Sequence, residues 1–138
     1  MLTASKRPTW DEYGLGLAKA ASARGDCTRR QVGAVVMDAQ HRIVGAGYNG
    51  YPPGVPGCLS DGACPRGQLT YDEAPPSVNY AGTGCTATHA EVNAVRYASA
   101  HVDISTCTVY VTDQPCPDCA AYLDAWRVKR VVWPGSFT

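Results

Sequence analysis

Two short β-branched runs near the end of the chain, 108–112 and 127–133, flank a segment at 116–126 that is compatible with a helix. A strand, a helix and a second strand in so few residues predict a parallel pair joined by a right-handed crossover. Upstream, 32–37 is apolar and β-branched, 38–42 is a turn, and 43–48 returns as a strand. That connection is short, so this pair is an antiparallel hairpin. Two more helices are expected. One covers 9–25, with Thr9 and Glu12 as a capping box and Gly25 as its stop; the other is the Ala-rich segment 88–100. The expected class is therefore α/β: a mixed sheet with an antiparallel edge hairpin, then a parallel β-α-β unit, with helices on its faces.

A chain of 138 residues makes one domain, 1–138, and can bury a core without disulfide staples. One stretch breaks the regular pattern. Residues 49–87 hold six of the ten prolines and seven of the fourteen glycines, without periodicity. So long an insertion needs a functional or stabilising reason.

Charge and apolar content exclude several classes. Twelve basic residues balance twelve acidic ones, and 45% of the chain is hydrophobic. This is not a disordered composition, nor a polycation that holds nucleic acid by charge alone. Zero net charge gives little self-repulsion and favours a homo-oligomer. No apolar run approaches the roughly 18–20 residues that span a bilayer. The first residues lack the apolar stretch of a signal peptide, so no membrane partner and a cytoplasmic location are expected. Thiols stay reduced there, and seven cysteines then point to metal or catalysis.

Two separated pieces carry that chemistry: His89-Ala-Glu91, opening one helix, and Pro115-Cys-Pro-Asp-Cys119, opening another. Cys116 and Cys119 are three apart, so on a first helical turn both sulfurs face one side. Two thiolates and an imidazole make a three-ligand zinc site whose fourth position stays open for water, the arrangement of catalytic zinc. Helix N-termini favour thiolate. Glu91 is placed to move protons between that water and a substrate. Each piece also has an ordinary reading. Thr88 to Glu91 fits a helix capping box, and Cys116-x-x-Cys119 fits a dithiol or half of a structural site. Together they match the H-x-E…P-C-x-x-C signature of zinc deaminases.

The chain resembles the deoxycytidylate (dCMP) deaminase family of the cytidine deaminase superfamily. Four segments carry the likeness: 27–36 (CTRRQVGAVV), 47–54 (GYNGYPPG), 89–94 (HAEVNA) and 110–119 (YVTDQPCPDC). The resemblance implies a three-layer α/β/α fold and hydrolytic deamination of a small cytosine nucleotide, dCMP to dUMP plus ammonia. In it, zinc-bound hydroxide attacks C4 while Glu91 shuttles the protons. It implies a hexamer or other homo-oligomer. It further implies that Asn49 bonds the sugar and that the Ala90 amide reads the cytosine carbonyl. Tyr110 and Thr112 join the candidate substrate contacts, and Arg29 and Arg30 are candidate phosphate or effector contacts. These have competing readings: Asn49-Gly50 is also a turn pair, Tyr48, Tyr97 and Tyr110 are equally candidates for the core or for base stacking, and the two arginines fit a solvated turn.

Some members of the family hold a second, structural zinc, which would take Cys27, Cys58, Cys64 and Cys85 here and tie the insertion to the first strand. The alternatives are that some of the four are free thiols, or that a histidine replaces one. Cys107 heads an apolar strand and is expected to be a small buried hydrophobe. Two other functions remain open: the same zinc chemistry on a free base, nucleoside, guanine-type purine or base in nucleic acid, and a zinc-stabilised binding module without turnover.

Overall fold

The computed structural model describes residues 7–26, 30–50 and 89–136. Helix α1 spans Trp10–Ser22. Its capping box is formed: the Glu12 amide donates to Thr9 Oγ1 (3.1 Å) and the Thr9 amide to Glu12 Oε1 (2.8 Å). Strands β1 (Gly33–Met37) and β2 (Ile43–Tyr48) make the expected antiparallel hairpin, with a bulge where Val36 faces Gly45 and Met37 faces Ile43. Helix α2 is Ala90–Ala98, β3 is Thr108–Val111, α3 is Pro117–Ala125 and β4 is Arg130–Val132.

The strand order is β2-β1-β3-β4. β1 pairs antiparallel with both β2 and β3, while β3 and β4 are parallel across α3. Successive side chains of a strand face opposite sides, and that alternation builds two cores. Ala34, Val36, Val109 and Val111 face Ala90, Ala94, Val95 and Ala98 of α2 and Leu123 of α3. Val35, Met37, Tyr110 and Val132 face Ala18 of α1. The result is three layers: α1, sheet, then α2 and α3.

Helix α1 ends at Ser22, capped by Ala23, and does not run on to Gly25; two further boundaries differ from expectation for physical reasons. The last strand begins at Arg130, not at 127, because residues 127 and 128 finish α3. Arg127 has φ 58°, its amide bonds the Asp124 carbonyl (2.9 Å), and the Val128 amide bonds the Leu123 carbonyl (3.2 Å). This is a Schellman closure with arginine where glycine is usual. Helix α2 starts one residue later than a Thr88 cap would set it, because His89 is its N-cap. Glu91 is therefore inside the first turn. Cys107 is fully buried as expected, in the α2–α3 core. No helix among the described residues is long and apolar enough to cross a membrane.

Candidate active site

The parallel arrangement of β3 and β4 forces the chain to leave the C-terminal end of β3 and enter α3. Cys116 is the N-cap of α3, Pro117 occupies its first turn, and Cys119 follows one turn in. Proline suits this place because its missing amide would have no helical partner. The Cys119 amide points back to Cys116 Sγ at 3.5 Å. Helix α2 supplies the rest, with His89 as N-cap and Glu91 in the first turn. Two helix N-termini thus converge on one point, and their partial positive charge favours anions there.

His89 Nδ1 lies 2.9 Å from Cys119 Sγ and 3.6 Å from Cys116 Sγ. The three donor atoms all lie within 4.8 Å of one another. Tetrahedral zinc holds an imidazole nitrogen and a thiolate sulfur roughly 3.5 Å apart. The donor set fits zinc in chemistry and in spacing, and leaves room for a fourth ligand.

Charge at the site is strongly redistributed. A hydrogen bond from Cys119 brings the Cys116 thiol down to about 4, against the opposing effect of burial, and His89 pulls the same way. Cys119 is pushed well up by that same bond and by burial. The hydrogen bond to Cys116 raises His89, again against burial. Glu91 is only 4% exposed, and burial raises its carboxyl above the usual range, partly opposed by its own amide and by His89. A buried carboxyl with a raised affinity for protons, beside a metal site, is suited to taking and returning them. Ala90 is fully buried, and its amide belongs to the first turn of α2, where the helix supplies no acceptor.

The other candidates fall into three groups. Asn49 and Thr112 act as backbone struts. Asn49 Oδ1 accepts from the Val32 amide (2.9 Å) and its Nδ2 donates to the Arg30 carbonyl (2.9 Å), while Thr112 Oγ1 accepts from the Gly33 amide (3.2 Å). Arg30 pairs with Asp113 at 3.3 Å, and its charge reaches His89. Tyr110 is a correction. Its neighbours Val109 and Val111 face α2 and α3, so Tyr110 faces α1, where its hydroxyl donates to Asp11 Oδ1 (2.8 Å). It is part of the core on the far side of the sheet from α2, the alternative that the sequence had left open for it. Tyr48 and Tyr97 are exposed. Cys27, Arg29, Cys58, Cys64 and Cys85 lie outside the described residues.

Two glycines that place the site carried only a weak signal in the sequence. Gly45 and Gly47 alternate on the inner face of β2, opposite Ala90, Ala94 and Ala98 at helical spacing. A Cβ at 47 would meet the Ala90 carbonyl at 2.6 Å and the Ala94 amide at 2.7 Å. The helix lies flush on the strand because no side chain separates them, which sets the height of His89 and Glu91 above the sheet.

Comparison with known proteins places this geometry. The family model described as "Cytidine and deoxycytidylate deaminase zinc-binding region" matches residues 8–134. The deoxycytidylate deaminase of Mycobacterium phage D29 is 44% identical over 131 residues, covering 93% of this chain and 96% of that one. The human deoxycytidylate deaminase is 31% identical over 124 residues, 90% of this chain but 64% of the longer human one. Among solved structures, the dCMP deaminase of cyanophage S-TIM5 in complex with dCMP and dUMP superposes with a TM-score of 0.67. It is 27% identical, over 93% of this chain and 82% of that one. With its metal-binding triad, its buried glutamate and these relatives, the chain belongs to the cytidine and deoxycytidylate deaminase zinc-binding family.

Proposed function

We propose that the protein hydrolyses dCMP to dUMP and ammonia. The observation that carries this is the buried Glu91 carboxyl next to the His89–Cys116–Cys119 donor set, in a chain that is 44% identical to a deoxycytidylate deaminase over nearly the whole of both.

His89, Cys116 and Cys119 would hold zinc, which when bound supplies the Lewis acidity that makes water nucleophilic at neutral pH. Everything else falls to the chain's own groups. Glu91 takes a proton from the attacking water and delivers it to N3 of the cytosine, then takes the remaining proton of the hydroxyl added at C4 and gives it to the departing amino group. Burial keeps its carboxyl willing to hold that proton between the two transfers. The Ala90 amide at the open end of α2 is suited to receive the cytosine carbonyl. Asn49 is read as a sugar contact and Arg30 as a phosphate contact, Thr112 acting with them at the rim. Water, dCMP, dUMP and ammonia balance, and no redox partner is needed.

The same reading carries a cytoplasmic homo-oligomer. The zero net charge, which gives little self-repulsion between copies, supports the assembly. It also carries a second, structural zinc on Cys27, Cys58, Cys64 and Cys85. Metal counting that returned one zinc per chain, with Cys58→Ser folding normally, would remove that second site.

The test of the activity is ammonia release from dCMP, cytidine, cytosine, dCTP and guanine. dCMP is expected to give the highest kcat/KM. Glu91→Gln should lower kcat on dCMP by about 10²–10⁴ while zinc content holds. Comparable turnover by Glu91→Gln would sink the mechanism.

A further inference from the structure

Asp113 has no role in the chemistry above, yet it stands three residues before Cys116 and holds the one arginine described beside the site. Arg30 Nη2 lies 3.3 Å from Asp113 Oδ2. The two come from different strand ends, Arg30 leading into β1 and Asp113 leaving β3. Both backbones are fixed independently of the pair. Asn49 Nδ2 holds the Arg30 carbonyl, and the Thr112 amide bonds the Gly33 carbonyl at 3.0 Å. The two attachment points are therefore rigid, and only the side chains are left to choose a direction.

An arginine side chain has several rotatable bonds and loses rotamer entropy when it is fixed. Both partners are half-exposed, at 38% and 46%, so the pair adds little stability by itself. What it does is choose a rotamer. The single contact uses Nη2 and leaves other donors of the five-donor guanidinium fork for an anion. A carboxylate on one edge of the fork can aim the opposite edge, as a hydrogen-bonded orienting group does for other ligand-binding side chains.

We infer that Asp113 is a positioning residue for substrate phosphate, acting through Arg30 by holding its guanidinium toward the entrance of the metal site. This rests on the dCMP reading. Two opposite effects of the carboxylate compete. Its charge repels a phosphate, weakly through water, and its hydrogen bond pre-orders the arginine. At a half-exposed site the screened repulsion is the smaller effect, so orientation wins.

The experiment is steady-state deamination of dCMP by the zinc-loaded full chain. It compares wild type, Asp113→Ala, Asp113→Asn, Arg30→Ala and the Arg30→Ala/Asp113→Ala double variant. Asp113→Ala is expected to raise KM for dCMP about two- to fivefold, the scale of a half-exposed charge pair, with kcat within twofold of wild type. Asp113→Asn keeps an acceptor oxygen and should return KM most of the way. In the Arg30→Ala background Asp113→Ala should add nothing, since its effect runs through the guanidinium. Three results would overturn the inference: a KM that falls in Asp113→Ala, a loss confined to kcat, or additive losses in the double variant. Failure of the underlying reading looks different, because wild type would then not deaminate dCMP at all.

Discussion

His89 Nδ1 lies 2.9 Å from Cys119 Sγ, across 30 residues of sequence and between two different helices. Neither helix holds the site alone, so metal binding ties the N-terminus of α2 to the N-terminus of α3.

Removing a ligand should therefore cost more than turnover. Cys119→Ala and His89→Ala are each expected to lose the catalytic zinc, all measurable deamination, and thermal stability. Zinc that binds only the folded state at 100 times its dissociation constant stabilises by about 2.7 kcal/mol. Metal analysis and melting of the same samples check this. A Cys119→Ala protein with full zinc and wild-type melting would contradict the site.

The flush packing of α2 on β2 predicts a contrast between two neighbouring glycines. Gly47→Ala presses on the Ala90 carbonyl beneath the catalytic turn, whereas Gly45→Ala presses on the Ala94 carbonyl and the Ala98 methyl farther along. Both should cost about 1–3 kcal/mol in urea unfolding, the usual range for overpacking. Only Gly47→Ala should also lower kcat per zinc-loaded molecule, because only there does the displaced turn carry Glu91. Equal kcat losses in the two variants would refute the distinction.

Arg127 occupies the left-handed position that closes α3, at φ 58°. Arg127→Gly should stabilise the protein by up to about 1 kcal/mol, since glycine has no Cβ to strain there. Denaturant midpoints compared at constant slope would reveal it. A drop in stability would mean the arginine side chain contributes more than its backbone costs.

The Asp11 carboxyl sits below the usual carboxylate range because the Arg130 guanidinium hydrogen-bonds it, with burial opposing and the Tyr110 hydroxyl assisting. A depressed folded pKa stabilises the protein above the unfolded value of about 3.9, and that stabilisation is lost as pH falls through the folded value. Asp11→Asn should thus be less stable than wild type at pH 7, by about 1 kcal/mol or less given the exposure of Arg130. The gap should narrow below about pH 4. Urea titrations across pH 7 to 3 test the sign, and a gap that widened in acid would reverse it.

Much of this was legible from the residues, but unevenly. The hairpin return at 43–48 came out where β2 lies, because a polar turn separates two apolar runs. The donor set was legible because zinc fixes ligand identity and helical spacing fixes which sulfurs share a side. Tyr110 was not. β3 is buried on both faces, so its pattern carries no polar alternation to say which side each residue takes. Residues 127–129 read as strand because Val128 suits one. The helix closes through a left-handed arginine, for which composition gives no sign. The Arg30–Asp113 pair joins two distant strand ends, a contact visible only once β1 and β3 are known to be neighbours.

The Asp11–Arg130 pair, 3.0 Å long, joins residues 119 apart. It can form only after residue 130 has left the ribosome. Until β4 emerges, the first turn of α1 has no charged partner there and Tyr110 lacks the strand that parallels it. Both faces of the sheet therefore wait for β4, since Val132 packs with Tyr110 on one and Val131 and Trp133 pack on the other, and a nascent chain can assemble the β1–β2 hairpin well before either is closed.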